Sequence, residues 1–298
     1  MSDLLSLRTK GFFLVIFAAV LWGTTGTSQG LAPVNMSSAV IGALRILLGG
    51  TVLFCYALYK RSFSKSEKWP LLLTLYGIFS VAFYQLSFFY GVKYAGVSIG
   101  TMVGIGSGPI SAGILAMIFY KEIITKRWIL STCIAVCGLG LLTYGSQNGT
   151  FNYSILGILL SVGAGFFYAS YTMVSKILLD KNNANSVMAV LFMGGAIVLL
   201  PVLFFHDTSG LMTVRGLSIV IHLGVFATAL SYFFFARGLR LIKVSETATL
   251  SLAEPLTATL LGIIVLNEKL GIISLSGIVL IFAGLCVLSL PSRKKNIK

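Results

Sequence analysis

FFYGVKYAGVS at residues 88–98 and FFARGLRLIKVS at residues 234–245 are two versions of one phrase, and the distance between them decides the fold. A shift of 147 residues lays Gly77 on Gly224, Lys93 on Arg240, Val97 on Val244 and Ser98 on Ser245. After a one-residue gap, a shift of 146 lays Pro109 on Pro255, Glu122 on Glu268 and Gly138 on Gly284. The chain is a duplicated unit, with one repeat over residues 1–148 and a second over 149–298.

Composition identifies the solvent of both copies. Hydrophobic residues make up 57% of the chain and charged ones only 10%, with a mean hydropathy of +0.96, so too few polar side chains exist to cover a water-soluble globule. A spanning helix needs roughly 20 mainly apolar residues. Ten segments qualify: 11–31, 37–59, 69–91, 96–119, 127–145, 155–177, 186–205, 214–236, 244–266 and 270–290. Each repeat then holds five spans, an odd number, so the second copy must sit upside down relative to the first. Paired inverted repeats enclosing a central cavity are a recurrent plan of secondary transporters. The expected fold is an all-α integral membrane protein of two inverted five-helix repeats.

Charge tests the span count independently, because cytoplasmic loops carry the excess of Lys and Arg. With the N-terminus inside, that side receives Arg8, Lys10, Lys60, Arg61, Lys65, Lys68, Lys121, Lys126, Arg127, Lys176, Lys181, Arg237, Arg240, Lys243, Arg293, Lys294, Lys295 and Lys298. The other side receives Lys93, Arg215 and Lys269, and Arg45 lies within a span. A missed or invented helix would scramble this asymmetry. Both termini are expected in the cytoplasm of a multi-pass cell-membrane protein. The net charge of +14 is spread between apolar runs rather than gathered on one face, which argues against a nucleic-acid partner.

Other signals are structural. Cys55, Cys133, Cys137 and Cys286 fall inside apolar runs and read as small hydrophobes; Cys133 and Cys137 have no accompanying ligands, so no metal site is expected. Arg8 and Lys10 before an apolar run resemble a signal peptide, but the run is too long and nine more follow, giving an uncleaved first span. The sequons at Asn35, Asn148 and Asn152 sit in short loops against the membrane, unsuited to modification.

Candidate functional residues are those that lipid should exclude. Arg45 and Glu254 lie near the bilayer centre, where a charge costs about 2.5 to 3.5 kcal/mol on the insertion scale. Counting 1.5 Å per residue, Arg45 is roughly 12 Å from one boundary and Glu254 roughly 15 Å from the other. Those depths permit a structural ion pair, or a protonated Glu254 bonding the backbone loosened by Pro255. They equally permit a site in which Arg45 attracts an anionic group while Glu254 takes an amine or a coupling proton. His222, at similar depth, is either a hydrogen-bonded packing residue or a second proton carrier. The run from Trp22 through Thr24 and Thr25 to Gln29 is polar from mid-membrane outward and is expected to face water or ligand. Tyr84, Gln85, Phe88, Phe89, Phe167, Tyr168, Tyr171, Tyr232 and Phe235 supply aromatic and polar walls suited to a small organic molecule.

In the fourth span Gly96, Gly100, Gly104, Gly108, Ala112 and Ala116 recur every fourth residue, which close helix packing explains. The stretch Gly104 to Gly108, with Gly106, Ser107 and Pro109, could also line the cavity or act as a hinge, and Gly104 and Ser107 are the candidate substrate contacts within it. Pro109 and Pro255 hold equivalent mid-span places and each removes a backbone donor, so both should kink their helices; the freed carbonyls either meet substrate or are satisfied by Thr101, Ser107 or Ser251.

The phrases VLWGTT around Trp22, ALRILLGG around Arg45, the duplicated pair quoted above, SLAEPLTATLLG, and NEK at Asn267–Lys269 resemble, in order and spacing over the whole chain, the EamA-type ten-helix exporters of the drug/metabolite transporter superfamily. The resemblance implies a basket-like bundle with a central cavity and amino acids or related small metabolites as substrates, often exported. It matches Arg45 and the Glu254–Pro255 pair to positions commonly occupied in the family, although Gly108 stands where the first repeat would carry the counterpart of Glu254.

The leading expectation is a secondary exporter of amino acids or similar metabolites by alternating access, without a cofactor and with the bilayer and a small molecule as partners. Efflux of drugs or organic cations is the nearest rival. A lipid-modifying enzyme or flippase is a third class, disfavoured because eight carboxylates and two histidines lie scattered rather than clustered. No glycine-rich nucleotide loop points to a primary pump, and a channel would lack saturable exchange.

Overall fold

The computed structural model describes residues 2–33, 36–145, 154–266 and 271–290, and every regular element among them is helical. We number the helices α1 (Ser2–Gly30), α2 (Ser38–Tyr59), α3 (Leu71–Ala95), α4 (Val97–Tyr120), α5 (Lys126–Gly145), α6 (Ile155–Leu179), α7 (Ala184–Phe204), α8 (Val214–Leu241), α9 in two pieces, α9a (Val244–Leu250) and α9b (Ala253–Leu266), and α10 (Ile272–Ser289). Ten of these runs are long and apolar enough to cross a membrane. The three sequons, the NEK phrase, the boundary between the repeats and the C-terminal basic cluster lie outside the described residues.

Local chemistry sets the helix ends. Ser37, Asn183 and Thr213 accept hydrogen bonds from the first-turn amides Val40, Asn185 and Gly216, fixing where α2, α7 and α8 begin. Gly96, at φ +83°, turns the chain between α3 and α4, a conformation that costs glycine least. Three helices run further than expected. α1 begins near the N-terminus because Arg8 is anchored: its guanidinium donates to Glu246 Oε1 at 2.8 Å and lies 4.5 Å over the Phe12 ring. α3 continues to Ala95 before Gly96 stops it. α8 reaches Leu241 because the Lys176 ammonium caps its C-terminal end, donating to the carbonyls of Leu239, Arg240 and Ile242 at 2.6, 3.1 and 2.9 Å.

Two helices depart from the expected continuous spans. α8 changes to π-type winding over His222–Leu230 before resuming as an α-helix. α9 is interrupted at Ser251 and Leu252. The two prolines therefore act differently: α4 continues as a helix through Pro109, whereas Pro255 stands in the first turn of α9b, just after the break.

The packing repeats the duplication. α3 lies on α6 as α1 lies on α8, α4 lies on α6 as α1 lies on α9b, and α2–α7 and α5–α10 each pair a helix with its own counterpart. Polarity is reversed relative to a water-soluble bundle. Phe13, Leu72, Ile155 and Phe282 face outward, while Ser131, Ser161, Ser170, Thr172 and Thr249 are wholly buried. The four cysteines are unpaired and on the outer surface. The start of α1 meets the end of α10, where Arg127 bonds the Leu290 carbonyl and Arg8 the Leu288 carbonyl. We call this the basic end, since it carries nearly all the described Lys and Arg.

Candidate substrate chamber

A chamber of about 560 Å³ lies inside the bundle, within the range that suits a small organic ligand. Its deep part is formed by Trp22 of α1, Arg45 of α2, Tyr84 of α3, Tyr168 and Tyr171 of α6, Tyr232 of α8 and Glu254 of α9b. From there it runs toward the end opposite the basic one, past Gln85, Phe88 and Phe89 to Thr25, Gln29, Ser38, Val92 and Thr143.

The aromatic walls are held by their own polar tips. Trp22 Nε1 donates to Ser231 Oγ at 2.9 Å, and the Tyr171 and Tyr232 hydroxyls meet at 2.8 Å. The Tyr168 and Ser251 hydroxyls lie 2.5 Å apart. Ring packing completes the wall: Tyr232 is 5.1 Å from Trp22 and 3.9 Å from Phe192, and Tyr84 is 6.0 Å from Tyr168. With these tips engaged by protein, the rings present flat apolar faces.

The two mid-membrane charges share this chamber without forming an ion pair. Arg45 is only 7% exposed, and its Nε is buried with no hydrogen-bond partner. The sole ion pair within 4.0 Å among the described residues is Arg8–Glu246. The Glu254 carboxylate makes no hydrogen bond to any described residue. The pairing that the depths allowed is therefore not made; opposite charges stand apart around one space. A buried guanidinium with an orphaned donor is costly unless something completes its shell.

Several candidates lie elsewhere. Thr24 turns away from the chamber, donating to the Leu21 carbonyl at 2.7 Å and meeting His222 Nε2 at 2.9 Å. His222 stacks on Phe226 at 5.6 Å, outside the chamber at the start of the π turn. Ser107 donates to the Gly104 carbonyl at 3.3 Å and sits at the contact of α4 with Gly165 of α6. Gly104 borders a smaller cavity below, not the chamber itself. Phe167 stacks on the outward-facing Phe83, and Phe235 is core. Pro255 lines the chamber and Pro109 does not.

Sequence reasoning missed Ser38, Thr143, Ala258 and Thr259, which also line the chamber, as does Thr101, considered only as a partner for a freed carbonyl. Each is a single small or hydroxylated residue in an apolar helix, a pattern that intrahelical bonding explains equally well. Thr259 indeed donates to the Pro255 carbonyl at 2.8 Å.

At the basic end the path is closed by polar contacts on α9a and its junction with α8. Glu122 accepts from Val244 N at 2.9 Å and Ser245 Oγ at 2.7 Å, capping the start of α9a. Glu246 holds Arg8, Trp128 Nε1 donates to the Ser245 carbonyl at 3.0 Å, and the Thr132 and Thr249 hydroxyls meet at 2.9 Å.

Ten spans in two inverted repeats, surrounding a charged and aromatic chamber closed at one end, define a multi-pass membrane transporter. The chain belongs to the EamA-like transporter family, of the drug/metabolite transporter kind, whose sequence profile matches residues 9–144 and again 155–290. It is 39% identical to an uncharacterized transporter of Bacillus subtilis (strain 168), YwfM, over 95% of this chain and 94% of that one. It is 25% identical, over 93% and 94% of the two chains, to a protein of Salmonella typhimurium described as a probable amino-acid metabolite efflux pump. A solved crystal structure superposes with a TM-score of 0.81 at 18% identity, covering 93% of this chain and 95% of the other, a likeness of fold alone.

Proposed function

We propose that the protein exports amino acids or closely related zwitterionic metabolites across the cytoplasmic membrane by alternating access between its two repeats. The observation that carries this reading is the unpaired Arg45–Glu254 arrangement. A carboxylate placed at the chamber-facing part of the Arg45 guanidinium and an ammonium at Glu254 would give both charges a partner at once. The aromatic rings between them would enclose the carbon skeleton. The name of the Salmonella relative points the same way. With the basic end in the cytoplasm, the structure is the state whose chamber faces outward, and α9a is the inner closure.

The test is counterflow in proteoliposomes with labelled amino acids and, separately, lipophilic cations. Amino-acid exchange that disappears in both Arg45→Ala and Glu254→Gln is expected. Exchange of lipophilic cations that survives Arg45→Ala would instead favour an organic-cation carrier using Glu254 and the aromatic walls.

Alternating access makes a second prediction at the inner closure. Arg8→Ala combined with Glu122→Ala removes the ion pair and the helix cap that hold this end together, and is expected to shift the population toward the opposite state by about tenfold or more. An Ala248→Cys reporter in a background without the four natural cysteines is expected to react with a polar maleimide from the basic side only after those changes. Equal labelling with and without them would remove the closure from the mechanism.

A further inference from the structure

Beneath the chamber floor, toward the basic end, lies a second cavity of about 20 Å³. That is room for one water or one small ion and for no organic molecule. Tyr84, Ile105, Tyr168 and Glu254 border both spaces, while Gly104, Ala248, Ser251 and Leu252 border only the small one. Glu254 is therefore a wall shared between the chamber and this cavity.

The break in α9 leaves backbone oxygen beside the cavity outside the helical ladder. Pro255 has no amide proton, and the chain before it leaves the helical bonding pattern. Ser251 N still reaches the Thr247 carbonyl at 3.1 Å, but Leu252 N bonds the Thr249 carbonyl at 3.1 Å and Glu254 N the Ser251 carbonyl at 2.9 Å. The ladder thus skips the Ala248 carbonyl, on a residue that lines the cavity. The Ser251 hydroxyl, which donates to the Thr247 carbonyl at 3.1 Å, and the Tyr168 hydroxyl, 2.5 Å from it, adjoin the cavity through their oxygen lone pairs, and the Glu254 carboxylate has no cation within 4.0 Å among the described residues.

We propose that this cavity binds one sodium ion, held by the Glu254 carboxylate, the Ser251 and Tyr168 hydroxyls and backbone carbonyl oxygen of the broken α9. Hard oxygen donors on a carboxylate, hydroxyls and unwound backbone suit an alkali ion, and discontinuous membrane helices commonly provide such sites. One carboxylate balances one positive charge, which selects a monovalent ion over a divalent one. A neutral water would leave the buried carboxylate uncompensated, and a protonated acid would use only one of the acceptors gathered here. Where the chamber holds a zwitterion, the ion and the substrate's ammonium group compete for Glu254, so sodium entry and substrate exit become an exchange. That coupling rests on the reading of the chamber above; the ion site itself does not.

The experiment measures thermal unfolding of the purified full-length protein, without substrate, in NaCl, LiCl, KCl and choline chloride at matched ionic strength. A saturable rise in Tm is expected with sodium and not with potassium or choline, since a ligand of the folded state alone stabilises it by mass action. Ser251→Ala is expected to raise the half-saturating sodium concentration about tenfold, the scale of one lost polar ligand. Tyr168→Phe is expected to do likewise and serves if the first variant does not fold. Arg45→Ala is expected to keep the sodium response while losing substrate binding, which separates this proposal from the substrate reading. Identical Tm in all four salts, or a shift that follows pH and not sodium, would overturn it.

Discussion

Arg45→Ala is expected to weaken substrate binding by about two orders of magnitude or more while leaving the empty protein folded. Removing one partner of a desolvated charge pair costs about 2 to 5 kcal/mol, most of it from the charge left alone in the complex. Here the substrate's anionic group would be that stranded charge, deep in the chamber. The empty protein should tolerate the change, because Arg45 makes no ion pair and its buried Nε has no partner to lose. Arg45→Lys should recover only part of the affinity, since an ammonium cannot reproduce a planar fork of donors. Calorimetry with the transported metabolite, alongside the Tm of the ligand-free protein, measures both halves. Undiminished binding in the alanine variant would make Arg45 scaffold and remove the basis for a zwitterionic substrate.

Gly277→Val is expected to prevent the two repeats from assembling. α5 and α10 meet through backbone: a Cβ built on Gly277 would lie 2.6 Å from the Gly138 carbonyl oxygen, and one on Gly138 would lie 2.7 Å from the Gly277 carbonyl oxygen. No rotamer relieves a clash against main chain, so the helices must separate along the whole contact. In lipid that contact has no hydrophobic drive to compensate, because association depends on close packing. Overpacking in a core typically costs 1 to 3 kcal/mol, and one against a rigid backbone belongs at or beyond the upper limit. The expected result is loss of the monodisperse peak in detergent, or a Tm lowered by roughly 10 °C or more. Gly271→Ala is the control, since a Cβ there meets nothing within 4 Å among the described residues. Normal behaviour of Gly277→Val would mean that α10 is not held as closely as its glycines require.

The residues show why some features could be read in advance and others could not. Lys93 and Arg240, or Gly138 and Gly284, reveal the duplication because a repeat is a property of order along the chain. Arg45 and Glu254 stand out because charge is expensive in lipid wherever the side chain points. Thr24 and Thr25 are neighbours of the same chemical type, yet the helix turn sends one to His222 and the other to the chamber. Pro109 and Pro255 occupy equivalent places, yet only the second lies beside a broken helix. Neither distinction is written in residue type, because each depends on which neighbouring helix receives the side chain or the freed carbonyl.

By itself, then, the sequence determined the solvent, the number of spans, their inversion and the presence of two charges that must serve some purpose. These follow from hydropathy, length and repetition, which need no knowledge of distant contacts. Only the tertiary structure decided that Arg45 and Glu254 face one chamber unpaired, that His222 stands outside it, and that α9 parts at Ser251 to make a second cavity. Those outcomes depend on angles and separations of ångströms between helices far apart in the chain, which apolar packing sets collectively rather than residue by residue.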